Sequence, residues 1–354
     1  MLYSVRLSNY RSQRLDDTLE FAFQELKLKE GVDFRWVYSL SDFLSTLEEE
    51  GEKNYIFALD LPENGYSPEW SEFMAFLTGK EELLSGCRGS LIVDGRGELF
   101  TKDVARHLIF ACNRAGMRFP GKPLVEATGS LYNFNTIAMI KGVDNKSAYR
   151  EGAAELISRL MNKAPSPEKI KNLVALHASS RETSNSLSLW GLVKENLPRE
   201  IVTEEISIRN GEIVDCRGCS FEACRHFGEK GDCFYGGLMV DKVYPAILNC
   251  DALVLICPNY NDAVGANMMA MFNRLTALFY NNDFSSKEIY AIIVSGYSGG
   301  DILAQQIIGS MNLNKGFNLP PNFALMATAN DPGSVLRIKD IGEEAREFAN
   351  RIAE

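Results

Sequence analysis

Short apolar runs alternate with amphipathic stretches along the whole chain of 354 residues. In the first half the predicted strands are 2–7, 34–38, 55–61, 90–93 and 124–127, and the predicted helices are 16–28, 41–49, 68–77, 102–115 and 147–161. The helical stretches repeat their apolar residues at the spacing of one helix face, whereas the strands are short, continuous and bounded by turn residues. This alternation predicts an α/β fold with an open, doubly wound parallel sheet.

The same alternation restarts after residues 163–171, a polar stretch with two prolines that predicts a linker. In the second half the predicted strands are 173–176, 204–208, 252–257, 289–294 and 323–327, and the predicted helices are 187–195, 241–248, 266–279, 301–311 and 342–352. We therefore predict two tandem doubly wound domains, 1–163 and 170–354, each a five-stranded parallel sheet with helices on both faces. An internal duplication is one explanation, since each half has an Asn-Arg pair late in one predicted helix, Asn113-Arg114 in 102–115 and Asn273-Arg274 in 266–279.

Composition and charge exclude several classes of protein. The formal net charge of −10 argues against a nucleic-acid partner, because nucleic-acid phosphates would be repelled. No apolar run reaches the roughly 18 residues that span a membrane, and the first residues lack the apolar core of a signal peptide. We expect a cytoplasmic protein without a membrane contact. The three scattered histidines are too few for a histidine-based metal enzyme.

Hydroxyl side chains crowd into the turn after the first strand of the second half, where residues 172–186 read NLVALHASSRETSNS. Hydroxyls come from Ser179, Ser180, Thr183, Ser184 and Ser186, an amide from Asn185 and a positive charge from Arg181. A parallel strand followed by a helix also points backbone N–H groups and the helix dipole at this turn, which predicts a phosphate site. An ordinary helix N-cap loop is the alternative, because the same residue types are favoured there.

Two further strand ends in the second half carry unusual residues, and ligands of open parallel sheets bind at the carboxyl ends of the strands. The first has the sequence CPNYNDA, with Pro258, Asn259, Tyr260 and Asn261. The second has the sequence SGYSGG, with Ser295, Gly296, Tyr297 and Gly300, and its glycines allow a flat ligand to approach the backbone. A phosphate site beside two such loops suits a ligand with a phosphate tail and a planar polar ring, which is the shape of flavin mononucleotide (FMN).

At these three loops the sequence resembles the NADPH-dependent FMN reductase and iron–sulfur flavoprotein family, whose fold is flavodoxin-like, over about residues 171–332. The resemblance implies that the first loop holds the FMN phosphate through Ser179, Arg181, Ser184, Asn185 and Ser186. It implies that the isoalloxazine lies against Pro258, Asn259, Tyr260 and Asn261 and is bordered by Ser295, Gly296, Tyr297 and Gly300. The implied activity is that of a flavin-dependent oxidoreductase with NAD(P)H or a redox protein as electron donor, and the implied assembly is a homodimer.

Four of the eight cysteines crowd into 18 residues, as Cys216, Cys219, Cys224 and Cys233. In a reducing compartment such crowding indicates metal or redox chemistry rather than disulfides. Four thiolates can hold a [4Fe–4S] cluster, as in the related iron–sulfur flavoproteins, or a structural zinc. A third alternative is that these cysteines bind no metal.

The first half differs at its corresponding strand ends. Its opening turn lacks the dense run of hydroxyls, and Asp94 follows the fourth strand, where a carboxylate would disfavour an electron-rich reduced flavin. We expect a flavodoxin-like domain without cofactor that serves as a lid, a dimer surface or a docking module. The competing hypothesis for the whole chain is a non-enzymatic binding or regulatory protein whose cysteines hold zinc.

Overall fold

The computed structural model describes residues 1–162, 169–179, 184–209, 213–279 and 281–354. Clustering of contacts divides the chain into two compact units, an N-terminal and a C-terminal one, with the short segment Pro320–Asn322 grouped with the first. The predicted domain boundaries at 163 and 170 fall in or beside residues 163–168, which lie outside the described residues, and they stay predictions. Among the described helices, none combines the length and the apolar character needed to cross a bilayer.

The N-terminal unit is built around one five-stranded sheet in the order β2-β1-β3-β4-β5, and every pairing in it is parallel. Its strands are β1 (Leu2–Val5), β2 (Phe34–Val37), β3 (Lys53–Leu61), β4 (Cys87–Gly95) and β5 (Leu124–Ala127). Its helices are α1 (Gln13–Glu30), α2 (Leu40–Leu47), α3 (Pro68–Leu77), α4 (Thr101–Arg114), α5 (Asn135–Lys141) and α6 (Asn145–Met161).

The C-terminal unit repeats this arrangement in the order β10-β9-β8-β6-β7, again with parallel pairs throughout. Its strands are β6 (Asn172–His177), β7 (Val202–Ser207), β8 (Ala252–Pro258), β9 (Glu288–Ser295) and β10 (Ala324–Thr328). Its helices are α7 (Asn185–Asn196), α8 (Phe221–Gly228), α9 (Tyr244–Asn249), α10 (Ala266–Phe279), α11 (Gly300–Ile307) and α12 (Ile341–Ala353). Counted within its own unit, each sheet has the strand order 2-1-3-4-5, which is the flavodoxin-like order. The predicted fold class is therefore confirmed.

The continuous apolar runs form the central strands because both faces of a doubly wound sheet are covered by helices. In β8, all residues from Ala252 to Cys257 are buried, and in β9 the whole strand is buried. On one face of the C-terminal sheet the core includes Trp190 of α7 and Phe348 of α12. These helices fix the positions at which the strands end, and with them the loops that follow.

The structure differs from the predicted elements mainly where helices are irregular. The helix predicted at 301–311 is α11 followed by a π-helical segment, Ile308–Lys315, and the helix predicted at 241–248 is a π-helical segment, Met239–Val243, followed by α9. Two helices were not predicted, α5 and α8. Helix α8 lies inside the cysteine-rich segment, where the Ser220 hydroxyl accepts a hydrogen bond from the backbone N–H of Ala223 and caps a helix too short to show a periodic pattern.

Candidate functional site

A cavity of about 680 Å³ lies at the carboxyl ends of the strands of the C-terminal sheet. It is lined by Ala178, Ser179, Ser184, Asn185, Ser186, Pro258, Asn259, Tyr260, Gly265, Ala266, Asn267, Val294, Gly296, Ala329, Asn330 and Pro332. These residues lie at or after the carboxyl ends of β6, β8, β9 and β10, which is where ligands bind in open parallel sheets. Its volume is in the range of roughly 300–1,000 Å³ that is typical of small-molecule sites.

Hydroxyl groups form the end of the cavity next to α7. Ser184 is the N-cap of α7, and its Oγ accepts a hydrogen bond from the backbone N–H of Leu187 at 3.4 Å and lies 3.0 Å from the Oγ of Ser186. Ser179 lines the same cavity, whereas the predicted phosphate ligand Arg181 lies outside the described residues. The helix N-terminus and these hydroxyls together offer hydrogen-bond donors to an anion.

The amide of Asn185, predicted as a phosphate ligand, is engaged with the backbone after β10. Its Nδ2 donates to the carbonyl oxygens of Asp331 at 2.9 Å and Ala329 at 3.2 Å, and its Oδ1 accepts from the N–H of Val335 at 3.3 Å. Asn185 therefore joins the first turn of α7 to the loop that forms the opposite wall of the cavity.

The side chain of Asn259 is held by several hydrogen bonds. Its backbone N–H donates to the carbonyl of Val294 at 2.9 Å, which extends the β8–β9 ladder by one bond. Its Nδ2 donates to the Ser298 carbonyl oxygen at 2.8 Å, to the Ser295 Oγ at 3.1 Å and to a carboxylate oxygen of Asp262 at 3.4 Å. A flipped amide would place its oxygen against the carbonyl and the carboxylate, so these partners fix its orientation. Its Oδ1 is buried and has no partner among the described residues.

A tight two-residue turn holds the loop after β8 in place. Tyr260 and Ala263 exchange two backbone hydrogen bonds of 3.2 Å, and the residues between them, Asn261 and Asp262, have φ of +54° and +56°. Asn and Asp tolerate this left-handed conformation better than other residues with a Cβ. The side chain of Gln306 also braces the turn, because its Nε2 donates to the Asp262 carbonyl at 3.0 Å. The Tyr260 ring is consequently exposed at the mouth of the cavity.

Two glycines after β9 bring the third loop close to the second. Gly299 has φ of +84°, and a Cβ there would lie 2.2 Å from a carboxylate oxygen of Asp262 and 2.9 Å from Asn259 Nδ2. A Cβ on Gly296 would lie 3.1 Å from Asn330 Oδ1. Glycine is therefore favoured at 299 by both its positive φ and this close approach, whereas at 296 a Cβ would require only a small shift of the exposed Asn330 side chain.

Eight of the predicted cofactor-binding residues line the cavity. They are Ser179, Ser184, Asn185, Ser186, Pro258, Asn259, Tyr260 and Gly296. Four others lie beside it: Asn261 in the tight turn, Ser295 buried under Asn259, Tyr297 exposed in the third loop and Gly300 at the start of α11.

Two amide side chains of the cavity wall were missed. Asn330 follows β10 and donates from Nδ2 to the Tyr297 hydroxyl at 3.3 Å, and Asn267 in α10 donates to the Ile208 carbonyl at 2.6 Å. The rule that ligands bind at strand ends predicts Asn330, because it follows the fifth strand of the unit. No comparable sequence pattern predicts that Asn267 lines the cavity, because its position there depends on how α10 packs.

The chemistry of the cavity lining fits FMN. One end offers hydroxyls and a helix N-terminus for a phosphate, and the other offers a proline, an exposed tyrosine and a glycine against which a planar ring can lie. The unpaired Oδ1 of Asn259 is an acceptor for which the described protein supplies no donor, and the imide N–H of a flavin ring is such a donor.

The four clustered cysteines lie in the segment between β7 and α9. Cys216 and Cys219 are exposed, and Cys224 and Cys233 are half-buried. In the described part of the chain, no three His, Cys, Asp or Glu side chains converge as a metal-binding group. The metal site on these four cysteines stays a prediction.

The base of this segment is held by Arg274 of α10, which is only 3% exposed. Its guanidinium donates to the carbonyl of Gly236 at 2.7 Å and to that of Val214 at 3.3 Å. The Tyr244 hydroxyl donates to the Arg274 carbonyl at 2.6 Å. Arg274 thus connects the two ends of the segment that carries the cysteines.

Comparisons with known proteins give one family match, which lies in the C-terminal unit. Residues 172–331 match the family model described as NADPH-dependent FMN reductase. A search of curated proteins gives no match.

Solved structures with a similar arrangement include three with descriptions that mention flavin or NAD(P)H. RosB with a bound 8-demethyl-8-formylriboflavin-5'-phosphate intermediate has a TM-score of 0.41 at 14% identity, covering 51% of this chain and 77% of its own. An NAD(P)H:quinone oxidoreductase from Methanothermobacter marburgensis has a TM-score of 0.40 at 16% identity, covering 52% and 95%. An FMN-dependent NADH-azoreductase from Bacillus anthracis in complex with FMN has a TM-score of 0.38 at 12% identity, covering 52% and 100%.

The family match covers nearly the same residues as the resemblance found in the sequence, 172–331 against about 171–332, and it includes all three predicted loops. It agrees with the predicted class of enzyme, an NAD(P)H-dependent flavin oxidoreductase. The C-terminal unit of this chain thus carries the sequence pattern of the NADPH-dependent FMN reductase family.

Proposed function

We propose that this chain is an FMN-dependent NAD(P)H oxidoreductase whose flavin binds in the C-terminal cavity. The observation that carries the proposal is the lining of that cavity, with hydroxyls and a helix N-terminus at one end and the oriented amide of Asn259 at the other. The family match supports the same cofactor independently of the geometry.

The residues of the chain would bind and orient the cofactor. Ser179, Ser184 and Ser186, together with the first turn of α7, would hold its phosphate by charge-assisted hydrogen bonds. The Oδ1 of Asn259 would accept a hydrogen bond from the ring, and the exposed Tyr260 would cover part of one ring face.

Bound FMN supplies the hydride and electron chemistry, so that no side chain has to act as nucleophile or general base. The protein controls binding, orientation and access of the second substrate. The mouth of the cavity beside Tyr260 is where we place the nicotinamide of NAD(P)H and, in turn, the electron acceptor.

Cofactor binding and turnover test this proposal in two steps. The purified full-length protein, stripped of flavin, is titrated with FMN and with riboflavin, and then NADH or NADPH is added with a quinone. We expect an absorbance band at about 450 nm to be retained with FMN, weaker retention of riboflavin because it lacks the phosphate, and oxidation of the reduced nicotinamide. Protein that does not bind FMN would overturn the flavin assignment. Binding of FMN without any oxidation of NADH or NADPH would overturn the assigned donor and favour a redox protein in its place.

An electron-transfer flavoprotein with a [4Fe–4S] cluster is the second candidate. Four cysteines in one segment that are exposed or half-buried favour it, because single structural thiols are usually buried. Iron, sulfide and zinc contents of protein purified without oxygen distinguish the cluster from a structural zinc and from free thiols. The non-enzymatic hypothesis predicts zinc, no flavin and no turnover.

The assembly we propose is a homodimer, as the family resemblance implies, and the location we propose is the cytoplasm. Light scattering of the flavin-loaded protein measures its mass directly. A monomer over the working range of concentrations would remove the dimer from the proposal without affecting the flavin site.

A further inference from the structure

The side chain of Asn185, the first residue of α7, uses its hydrogen bonds within the protein. Its Nδ2 donates to the carbonyl oxygens of Asp331 at 2.9 Å and Ala329 at 3.2 Å, and its Oδ1 accepts from the N–H of Val335 at 3.3 Å. A flipped amide would place its oxygen against two carbonyl oxygens, so these partners fix its orientation. An amide nitrogen carries two hydrogens, and both are therefore engaged.

The partners of this amide belong to the segment 329–335, which we call the wall segment because it forms one wall of the C-terminal cavity. Its residues that line the cavity are Ala329, Asn330 and Pro332. At its start the N–H of Ala329 donates to the carbonyl of Ser295 at 2.9 Å, and at its end the side chain of Val335 is fully buried in the core. Asn185 bonds to backbone groups near both of these attachments, and so it holds the stretch between them.

The wall segment also contacts the loop after β9. The Nδ2 of Asn330 donates to the Tyr297 hydroxyl at 3.3 Å, and a Cβ on Gly296 would lie 3.1 Å from Asn330 Oδ1. The position of the wall segment therefore affects the cavity well beyond the first turn of α7. A side chain that holds this segment can influence how the cavity accepts a whole ligand, not only a phosphate group.

A direct contact between the Asn185 amide and a phosphate would disrupt the wall segment. Phosphate oxygens accept hydrogen bonds, so only Nδ2 could bind them. Nδ2 could do so only by releasing the carbonyl of Asp331 or that of Ala329. Ser184 and Ser186, on either side of Asn185 in the sequence, line the cavity with hydroxyl groups instead.

We propose that Asn185 is a positioning residue of the flavin site, whose amide holds the wall segment in place for the flavin as a whole and does not bind its phosphate. This inference rests on the flavin proposed for the cavity. It replaces the phosphate contact that the family resemblance implies for Asn185.

Hydrogen exchange of the flavin-free, full-length protein tests the hold on the wall segment. Asn185→Ala loses all three bonds, and peptides covering residues 329–338 should exchange at least about tenfold faster than in the wild type. Asn185→Asp has nearly the wild-type shape but turns an oxygen towards the two carbonyls, so the same result is expected, and it replaces Asn185→Ala if that variant does not fold. Asn196→Asp, at the other end of α7, is the matched control and should leave these peptides unchanged.

The affinities for FMN and riboflavin separate positioning from phosphate binding. In Asn185→Ala both should fall by a similar factor of at least about ten, because a displaced wall affects both flavins, and the visible circular dichroism of the bound flavin should change. A phosphate ligand would instead lower the affinity for FMN alone. If Asn185→Ala does not fold, riboflavin binding to Asn185→Asp decides the same question, because riboflavin has no phosphate for the new charge to repel.

Three results would overturn the inference. They are unchanged exchange of the wall peptides in both variants, a loss of affinity confined to FMN, and faster exchange with wild-type affinity for both flavins. Wild-type protein that binds neither flavin would refute the proposed function and the flavin part of this inference with it. The exchange result decides separately whether Asn185 holds the wall segment.

Discussion

The Nδ2 of Asn259 donates to the Oγ of Ser295 at 3.1 Å, which joins the loop after β8 to the end of β9 beside the C-terminal cavity. The same amide nitrogen also contacts the Ser298 carbonyl and the Asp262 carboxylate. The side chain can satisfy all three acceptors only as a donor, so an amide is required at this position. An aspartate would place oxygen against oxygen.

The first prediction follows from this requirement. Asn259→Asp should weaken FMN binding by about 1–3 kcal/mol, roughly ten- to hundredfold, because the new carboxylate faces two acceptors that were satisfied before. Ser295→Ala removes one of the three acceptors and is the matched control, for which we expect a clearly smaller loss. Titration of flavin fluorescence measures both. Equal affinity of Asn259→Asp and the wild type would show that the amide does not order the site.

A second prediction concerns the approach of the loops at Gly299. Gly299→Ala should destabilise the C-terminal unit by about 1–3 kcal/mol and also weaken FMN binding, because the new Cβ would overlap a carboxylate oxygen of Asp262. Gly333 has a similar φ, +71° against +84°, but open space around its Cβ position. Gly333→Ala therefore separates backbone strain from the clash. Urea denaturation and FMN titration of the two variants give the comparison, and equal effects of both would refute a role for close approach.

A third prediction separates the capping role of Ser184 from a phosphate contact. Ser184→Ala removes the cap of α7 and should cost about 1 kcal/mol of stability, whereas Ser184→Gly should cost only a few tenths. Both variants lack the hydroxyl, and both should lose about 1.5–3 kcal/mol of FMN affinity if that hydroxyl contacts the phosphate. Thermal unfolding without flavin and titration with FMN are measured side by side. FMN affinity of Ser184→Gly equal to that of the wild type would assign Ser184 to capping alone.

The sequence predicts the fold well because each central strand is a continuous apolar run with helical periodicity on both sides. The strand order then brings the three predicted loops of the C-terminal half to one edge of the sheet. Ser184, Asn259 and Gly296, one from each loop, line the same cavity there. What could not be predicted depends on side-chain orientation. The amide of Asn185 bonds to the loop after β10, and no local pattern reveals that partner 144 residues away. The ion pair between Arg6 and Asp60 could not be predicted either, because 54 residues separate them along the chain.

A fourth prediction distinguishes the two groups of cysteines by reactivity. Burial raises the pKa of Cys257 to about 12 and that of Cys250 to about 11, and Cys87 is likewise raised to about 11. At about pH 8 these thiols are almost entirely protonated, and the thiol form does not react with iodoacetamide. Buried Cys112 has its pKa raised in the same direction. Native labelling should therefore modify none of these four.

The four cysteines of the segment before α9 behave differently in the same experiment. Metal-free protein should be labelled first at the exposed Cys216 and Cys219, and more slowly at the half-buried Cys224 and Cys233. Mass spectrometry of the labelled peptides gives the order. If these four are protected in protein as purified and become reactive after a chelator is added, they hold a metal. Rapid labelling of Cys257 in folded protein would contradict the burial on which the distinction depends.

The last prediction concerns Arg274, which joins the two ends of the cysteine-rich segment. Its guanidinium contacts the carbonyls of Val214 and Gly236 at once, and a lysine has only a single ammonium group with which to replace it. Arg274→Lys should therefore release the segment, and trypsin should cleave after Arg217, Arg225 or Lys230 at least about tenfold faster than in the wild type. Arg346→Lys, on the exposed surface of α12, is the matched control, and its cleavage pattern should not change. Faster cleavage of the segment with an unchanged unfolding midpoint would show that Arg274 acts locally, by holding the two ends of the segment together. Cleavage that accelerates equally throughout the chain would instead show that Arg274 stabilises the whole C-terminal unit. The local role of Arg274 in the segment would then be refuted.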